Sequence, residues 1–318
     1  MGRARDFLEH RQIALYFCAI VAAAITAWLA PRTGRLEAAI NPALALMLYV
    51  TFLQVPIAQL RHALSNMRFL GALLVANFVV IPVLVAALLQ MAPHDPMIRL
   101  GVLFVLLTPC IDYVVTFAHL GRADARLLLA ATPSLLIVQM LVLPAYLRLF
   151  LGEDAASLVK PGPFIHAFVW LIALPSILAA LTQYWAGKTS LGTRVANGLG
   201  LLPVPATALV LFIVIAAVMP QLGSAIAAAV RVIPIYVVFA ILAPATGWLI
   251  ARRCNLDSPA ARAVAFSAGT RNSLVVLPLA LAVPGAMPIL PVVIVTQTLV
   301  ELLSQLIYVR AMPKLGRG

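Results

Sequence analysis

Long apolar stretches separated by short polar or charged segments run along the whole chain. A hydrocarbon core about 30 Å thick is crossed by about 20 predominantly apolar residues in a helix. Stretches close to that length occur at residues 12–30, 38–58, 69–90, 98–118, 127–150, 162–186, 199–220, 232–251, 260–283 and 288–311. The pattern therefore predicts an all-α polytopic membrane protein with ten transmembrane helices.

The composition excludes a soluble globular protein. Hydrophobic residues make up 64% of the chain and charged residues only 10%, whereas a soluble domain carries about 25% charged residues. No basic run interleaved with aromatic residues occurs, so nucleic acid is not an expected partner. The three cysteines, at positions 18, 110 and 254, show no CxxC spacing, so neither a zinc site nor a resident cofactor is expected. The expected surroundings are a lipid bilayer.

The distribution of positive charge predicts the orientation. With the amino terminus inside, the segments on that side hold fifteen of the 22 Lys and Arg residues, and those on the other side hold six. The positive-inside rule then predicts a multi-pass protein of the cell (inner) membrane with both termini in the cytoplasm. Residues 1–30 also have features of a secretory signal peptide, but their apolar run is long enough to span the bilayer.

The two halves of the chain resemble each other. A shift of 158 positions aligns the P-x5-Q-x-L-V pattern that begins at Pro133 with the one that begins at Pro291. A similar shift aligns the interruption of span 4, residues 108–113, with the interruption of span 9, residues 266–271. Five spans per half is an odd number, so residues 1–158 and 159–318 are predicted to form two inverted five-helix repeats. Inverted repeats with interrupted helices at matching positions point to a secondary transporter.

Span 4 is predicted to break near Thr108 and Pro109. Proline cannot donate its backbone hydrogen bond, and it disfavours helical geometry at the preceding residue. Thr108, Asp112 and Thr116 would form one polar stripe if the helix continued beyond the break. Because a break exposes backbone groups, Thr108, Cys110 and Asp112 are candidate substrate-binding residues.

Span 9 contains seven consecutive small or polar positions, from Ser267 to Ser273. Such a run is unsuited to a lipid-facing helix, and it offers side-chain partners to freed backbone groups and to a solute. A helix-packing face of small residues is the alternative, but packing does not explain Arg271. Arg271, Asn272 and Ser273 are therefore further candidate substrate-binding residues.

Span 10 carries Gln297, Glu301 and Gln305 at intervals of four residues, which predicts one polar stripe that faces protein. Ionisable groups at this depth cost about 2.5 to 3.5 kcal/mol on insertion scales, so Asp112, Arg271 and Glu301 are expected to face a cavity or a partner. Burial raises the pKa of a carboxylate, whereas a nearby arginine lowers it. Glu301 and Asp112 are therefore candidate proton-coupling residues, and a fixed ion pair of either with Arg271 remains the structural alternative.

The chain resembles a known family of carriers. The run Pro109-Cys110-Ile111-Asp112-Tyr113-Val114 is similar to the span-4 motif of the arsenite-efflux (arsenical resistance) carriers, of the bile-acid/sodium symporter superfamily. Thr298-Leu299-Val300-Glu301 is similar to their span-10 motif, and Asn272 matches an asparagine of span 9. The resemblance implies that Cys110 and Glu301 are functional residues. It also implies a panel domain beside a core domain in which the interrupted spans 4 and 9 cross.

Two positions of span 9 differ from the family pattern. Arsenite carriers have a glutamate shortly after an asparagine pair, where this chain has Ser273 and Leu274. Sodium-coupled relatives place a glutamine beside an asparagine as sodium ligands, where this chain has Arg271 and Asn272. A fixed guanidinium is expected to repel Na⁺ and to replace its charge.

The leading hypothesis is proton-coupled efflux of arsenite or a similar trivalent metalloid, with alternating access and with Cys110 as the thiophilic contact. The alternative is a carrier of small organic anions, in which Arg271 and the half-helix N-termini meet a carboxylate. A membrane-embedded hydrolase ranks below both, because no nucleophile–histidine or metal-binding pattern accompanies the carboxylates. An enzyme is therefore not expected.

Overall fold

The computed structural model describes residues 2–54, 66–111, 113–156 and 161–316, and their regular structure is helical. Two π-helical turns, Ala76–Val80 and Val169–Ala173, continue the helices that precede them. The α-helices are Gly2–Leu29, Glu37–Gln54, Met67–Val75, Ile81–Leu88, Pro96–Leu106, Val114–Leu120, Ala125–Ala156, Pro161–Phe168, Leu174–Ala186, Ser190–Leu199, Pro203–Val218, Leu222–Arg253, Ser258–Gly269, Ser273–Leu281 and Ile289–Ala311.

Six helical segments among the described residues are long and apolar enough to cross a membrane. They are Arg11–Leu29, Thr33–Gln54, Met67–Met91, Ala125–Gly152, Ala225–Arg253 and Ile289–Lys314. The pair Ser190–Leu199 and Pro203–Val218, bent by 41°, adds a seventh if it is one span. These segments confirm a polytopic membrane protein. The count of ten helices and the inverted repeat stay predictions.

The predicted interruptions of spans 4 and 9 are confirmed. Helix Pro96–Leu106 ends before Pro109, and the chain becomes helical again at Val114–Leu120. Helix Ser258–Gly269 ends in the extended residue Thr270, and Ser273–Leu281 follows. The second break begins later than the predicted position 266, because the small residues up to Gly269 remain helical. The conditional polar stripe from Thr108 to Thr116 is not continuous, because the helix ends at Leu106.

The first halves of both broken spans begin with the same capping arrangement. The Asp95 carboxylate accepts hydrogen bonds from the backbone N–H groups of Met97 and Ile98, at 2.8 and 3.1 Å. The Asp257 carboxylate accepts one from the N–H of Ala260 at 3.0 Å. An acidic side chain at this position satisfies free N–H groups of the first turn and offsets the positive end of the helix dipole.

The chain divides into two compact units, and each draws segments from both halves of the sequence. The first unit consists of Met1–Val55, Lys160–Ile226 and Leu277–Pro291. In it, helices Gly2–Leu29 and Glu37–Gln54 pack against Pro203–Val218. The Gln183 side-chain amide donates to the backbone oxygens of Phe52 and Leu53, at 3.2 and 3.0 Å.

The second unit consists of Pro56–Val159, Ala227–Val276 and Val292–Gly318, and it contains both breaks. Every residue from Ala260 to Gly269 is buried, so helix Ser258–Gly269 lies inside this unit. Close packing around it depends on glycine: a Cβ atom added at Gly247 would lie 2.6 Å from the Cβ of Ala268. This buried helix brings the polar residues of span 9 to the centre of the unit.

Candidate functional site

The two breaks pair with each other through their backbones. The N–H of Cys110 donates to the carbonyl oxygen of Thr270 at 3.0 Å, and the N–H of Asn272 donates to that of Thr108 at 2.9 Å. Pro109 and Arg271 lie opposite each other in this short antiparallel bridge. Backbone groups without partners are costly in a bilayer, so the pairing stabilises two non-helical segments at once.

The Arg271 guanidinium is 0% exposed and is surrounded by oxygen atoms. Its Nη2 atom lies 2.8 Å from the side-chain oxygen of Asn77, 2.6 Å from the carbonyl oxygen of Ser267 and 2.7 Å from that of Ala268. Its Nη1 atom donates to the Leu106 carbonyl oxygen at 3.3 Å. The last turns of two half-helices therefore supply three of the four oxygens.

An aromatic ring and an unpaired donor complete the surroundings of this guanidinium. Its central carbon lies 5.4 Å from the centre of the Phe239 ring, within the range of a cation–π interaction. Its Nε–H has no hydrogen-bond partner among the residues that the structure describes. Asp112, a predicted substrate-binding and proton-coupling residue, lies outside those residues.

Glu301 is 2% exposed, and three donors converge on its carboxylate. The Tyr113 hydroxyl donates to Oε1 at 2.5 Å. The backbone N–H of Arg271 and the side-chain amide of Gln297 both donate to Oε2, at 2.6 Å each. A carboxylate with this set of donors is satisfied as an acceptor.

The predicted polar stripe of span 10 is confirmed as facing protein. Gln297, Glu301 and Gln305 are all buried, while Leu303 and Ile307 on the same helix are exposed. The stripe also connects to span 9: the Ser273 hydroxyl donates to the Gln297 side-chain oxygen, and the Gln305 amide donates to the Thr270 hydroxyl at 2.7 Å.

The structure brings most of the residues predicted for the site to the paired breaks. Cys110 is buried, and the Thr108 hydroxyl donates to the Phe104 carbonyl oxygen at 2.8 Å. Asn272 is also buried, and its side-chain nitrogen has no partner among the described residues. Among the predicted site residues that the structure describes, Asn272 thus keeps an uncommitted amide donor.

Two residues of the centre were not predicted as site residues from the sequence. The Asn77 amide donates to the Ser267 hydroxyl at 3.0 Å, and its side-chain oxygen accepts from Arg271. Tyr113 bonds both Glu301 and the Arg271 carbonyl oxygen. A single asparagine in an apolar span was the available signal for Asn77, and its position in a π-helical turn is typical of functional sites.

The chemistry of this centre is that of charge held inside a membrane protein. One guanidinium and one carboxylate lie buried in the same unit, each held by its own set of hydrogen bonds. No group of three or more His, Cys, Asp or Glu side chains in the described part of the chain is arranged to hold a metal ion. The arrangement suits a site at which a charge or a proton controls how two broken helices pair.

Comparison with known proteins identifies a family. The model of the Sodium Bile acid symporter family matches residues 41–228, which is more than half of the chain. No curated protein matches the chain.

Proposed function

The chain belongs to the sodium bile acid symporter family, and we propose that it is a secondary active transporter that moves a small solute across the membrane by alternating access. The observation that carries the proposal is the mutual pairing of the two broken helices beside buried Arg271 and Glu301. Interrupted helices that meet at buried polar groups are how transporters bind ions and solutes inside a bilayer. Buried ionisable residues in membrane spans are most often functional.

We propose that Glu301 couples transport to protons. The ionised carboxylate accepts three hydrogen bonds. Two of them, from the Tyr113 hydroxyl and the Arg271 N–H, link span 10 to the two breaks. A proton on Oε2 would turn an acceptor into a donor, and the Arg271 N–H and the Gln297 amide would then face a donor. Protonation therefore weakens the link between span 10 and the break of span 9, which allows the centre to rearrange.

The proposed cargo is arsenite or a similar trivalent metalloid, and the residue that supports it is Cys110. A sulfur ligand suits a soft, thiophilic centre, and this thiol lies in the break of span 4. In the proposed contact, the Cys110 sulfur replaces one hydroxyl of As(OH)₃, the thiol proton and that hydroxyl leave as water, and hydrolysis reverses the step. Cys110 is enclosed in the present conformation, so cargo reaches it when the centre opens.

The test is arsenite accumulation in arsenic-sensitive cells that express the parent, Cys110→Ala or Cys254→Ala at equal membrane abundance. We expect the parent and Cys254→Ala to lower accumulation and Cys110→Ala to lose that effect. Cys254 is the matched control because it lies just after helix Leu222–Arg253, away from both breaks. An unchanged arsenite level with the parent, or full export by Cys110→Ala, would contradict the metalloid assignment.

A small organic anion is the second candidate cargo. Helix Ser273–Leu281 begins at the second break, so its positive end lies at that break, and Asn272 beside it offers an amide donor. For this cargo, Cys110→Ala keeps transport of the anion, whereas metalloid export is lost in the same variant. The Cys110 variant therefore distinguishes the two cargo classes.

A further inference from the structure

We propose that Arg271 acts as a tethered cation: its guanidinium fills a site that would otherwise bind a monovalent metal cation, and the protein needs no dissociable sodium ion there. Only the role of this site in ion coupling rests on the proposed transport function. The site itself is a set of oxygen atoms suited to a cation, and the side chain of Arg271 occupies it.

One nitrogen of the guanidinium has more oxygen neighbours than it has hydrogens. Asn77, Ser267 and Ala268 place three oxygen atoms within 2.6–2.8 Å of Nη2, which carries two hydrogens. Two N–H bonds cannot point well at three acceptors, while Nε of the same guanidinium has no partner among the described residues. The oxygens are therefore arranged as they would be around a point charge.

Most of the oxygens around the guanidinium belong to the ends of helices. Leu106 is the last residue of one half-helix, and Ser267 and Ala268 lie in the last turn of another. The C-terminal end of a helix carries partial negative charge, and broken helices use such ends and unwound carbonyl oxygens to coordinate alkali cations in membrane carriers. Neutral oxygen donors of this kind are the ligands that hard cations prefer.

The guanidinium is enclosed by protein on all sides. The guanidinium is fully buried, and the Phe239 ring lies against it. A substrate carboxylate would have to displace carbonyl oxygens that already satisfy Nη2, so this conformation does not present Arg271 as an anion-binding residue. Removal of the arginine would leave uncompensated oxygens in a dry site near the Glu301 carboxylate, which favours entry of a small cation.

The test measures thermal unfolding of the purified, detergent-solubilised full chain in NaCl, KCl or choline chloride at equal ionic strength. The parent is expected to unfold at the same temperature in all three salts. Arg271→Gln is expected to unfold at a lower temperature in choline chloride and to recover by about 3 °C or more in NaCl. The recovery should saturate with Na⁺ concentration.

Arg262→Gln is the matched control. Arg262 is also buried, and its guanidinium also donates to carbonyl oxygens, with Leu315 at 2.6 and 3.1 Å and Arg122 at 3.1 Å. In these three bonds, each nitrogen donates to one carbonyl oxygen. Its replacement should lower the unfolding temperature equally in all three salts.

Arg271→Lys is the second variant, because it keeps a positive charge within reach of the same oxygens. It should fold and stay insensitive to the choice of cation. A sodium-dependent unfolding temperature of the parent would overturn the proposal. A folded Arg271→Gln protein whose unfolding temperature does not respond to Na⁺ would also overturn it. The same holds if Arg271→Gln cannot be purified in any of the three salts while Arg271→Lys can.

The measurement needs no transported cargo. If the parent exports no arsenite but Arg271→Gln gains a Na⁺ response, the tethered cation stands and the cargo assignment fails. If arsenite export is established but Arg271→Gln shows no Na⁺ response, the cargo assignment stands and the tethered cation fails.

Discussion

Arg271 reaches Glu301 through its main chain: the backbone N–H of Arg271 donates to Oε2 of Glu301 at 2.6 Å. The hydrogen bonds of its guanidinium within the described part of the chain go to oxygens of Asn77, Ser267, Ala268 and Leu106. The two buried charges are therefore not joined as a direct side-chain pair. Glu301 stabilises the position of the break, while the charge of Arg271 is balanced largely by helix ends.

Glu301→Gln is expected to lower the stability of the protein and to abolish transport driven by a pH gradient. Glutamine keeps one acceptor oxygen in place of two and carries no charge, so it cannot accept from Tyr113, Arg271 and Gln297 together, at a cost of about 1–3 kcal/mol. Uptake into proteoliposomes with and without a pH gradient, together with chemical unfolding, checks both effects. Gradient-driven transport equal to that of the parent would exclude Glu301 as the coupling residue.

Tyr113→Phe is expected to destabilise the protein more than Tyr308→Phe. The Tyr113 hydroxyl donates to a carboxylate, which is worth about 1.5–3 kcal/mol, whereas the buried Tyr308 hydroxyl donates to the neutral Ala240 carbonyl oxygen, at about 0.5–1.5 kcal/mol. Chemical unfolding of both variants in the same detergent measures the difference. Equal losses would show that the bond to Glu301 is no stronger than an ordinary buried one.

Asn77→Asp is expected to be tolerated better than Asn77→Leu. The Asn77 side-chain oxygen accepts from the Arg271 guanidinium at 2.8 Å, and aspartate keeps an acceptor there with added negative charge. Leucine removes it and leaves a buried charged donor short of one partner, at a cost of about 1–3 kcal/mol. The yield of monodisperse protein and the unfolding temperature rank the two variants. A more stable leucine variant would show that Asn77 does not support the guanidinium.

Gly247→Ala is expected to destabilise the protein by about 1–3 kcal/mol through overpacking. The new Cβ would lie 2.6 Å from the Ala268 side chain and 3.1 Å from the backbone of Ala265, on the helix that ends at the break. Gly71→Ala makes the same change at an exposed helical position with no atom within 4 Å, and it should stabilise by up to about 1 kcal/mol. Chemical unfolding of the pair tests the prediction, and a loss at both positions would contradict it.

The membrane class, the two breaks and the buried face of span 10 are all predictable from the amino-acid sequence. These features depend on local rules: the length of an apolar run, the missing N–H of Pro109, a run of small and polar residues, and the spacing of Gln297, Glu301 and Gln305 on one side of a helix. Each can be evaluated within one span. For that reason the structure confirms them, apart from the exact start of the second break.

Which side chains contact each other at the centre depends on how the spans pack. Asn77 and Tyr113 come from spans 3 and 4, yet one contacts the Arg271 guanidinium and the other the Glu301 carboxylate. Neither contact follows from spacing along the chain, because side-chain direction and helix packing place these atoms together. The sequence predicted a buried arginine that needs partners. Because of how the broken helices pack, most of those partners are carbonyl oxygens at helix ends.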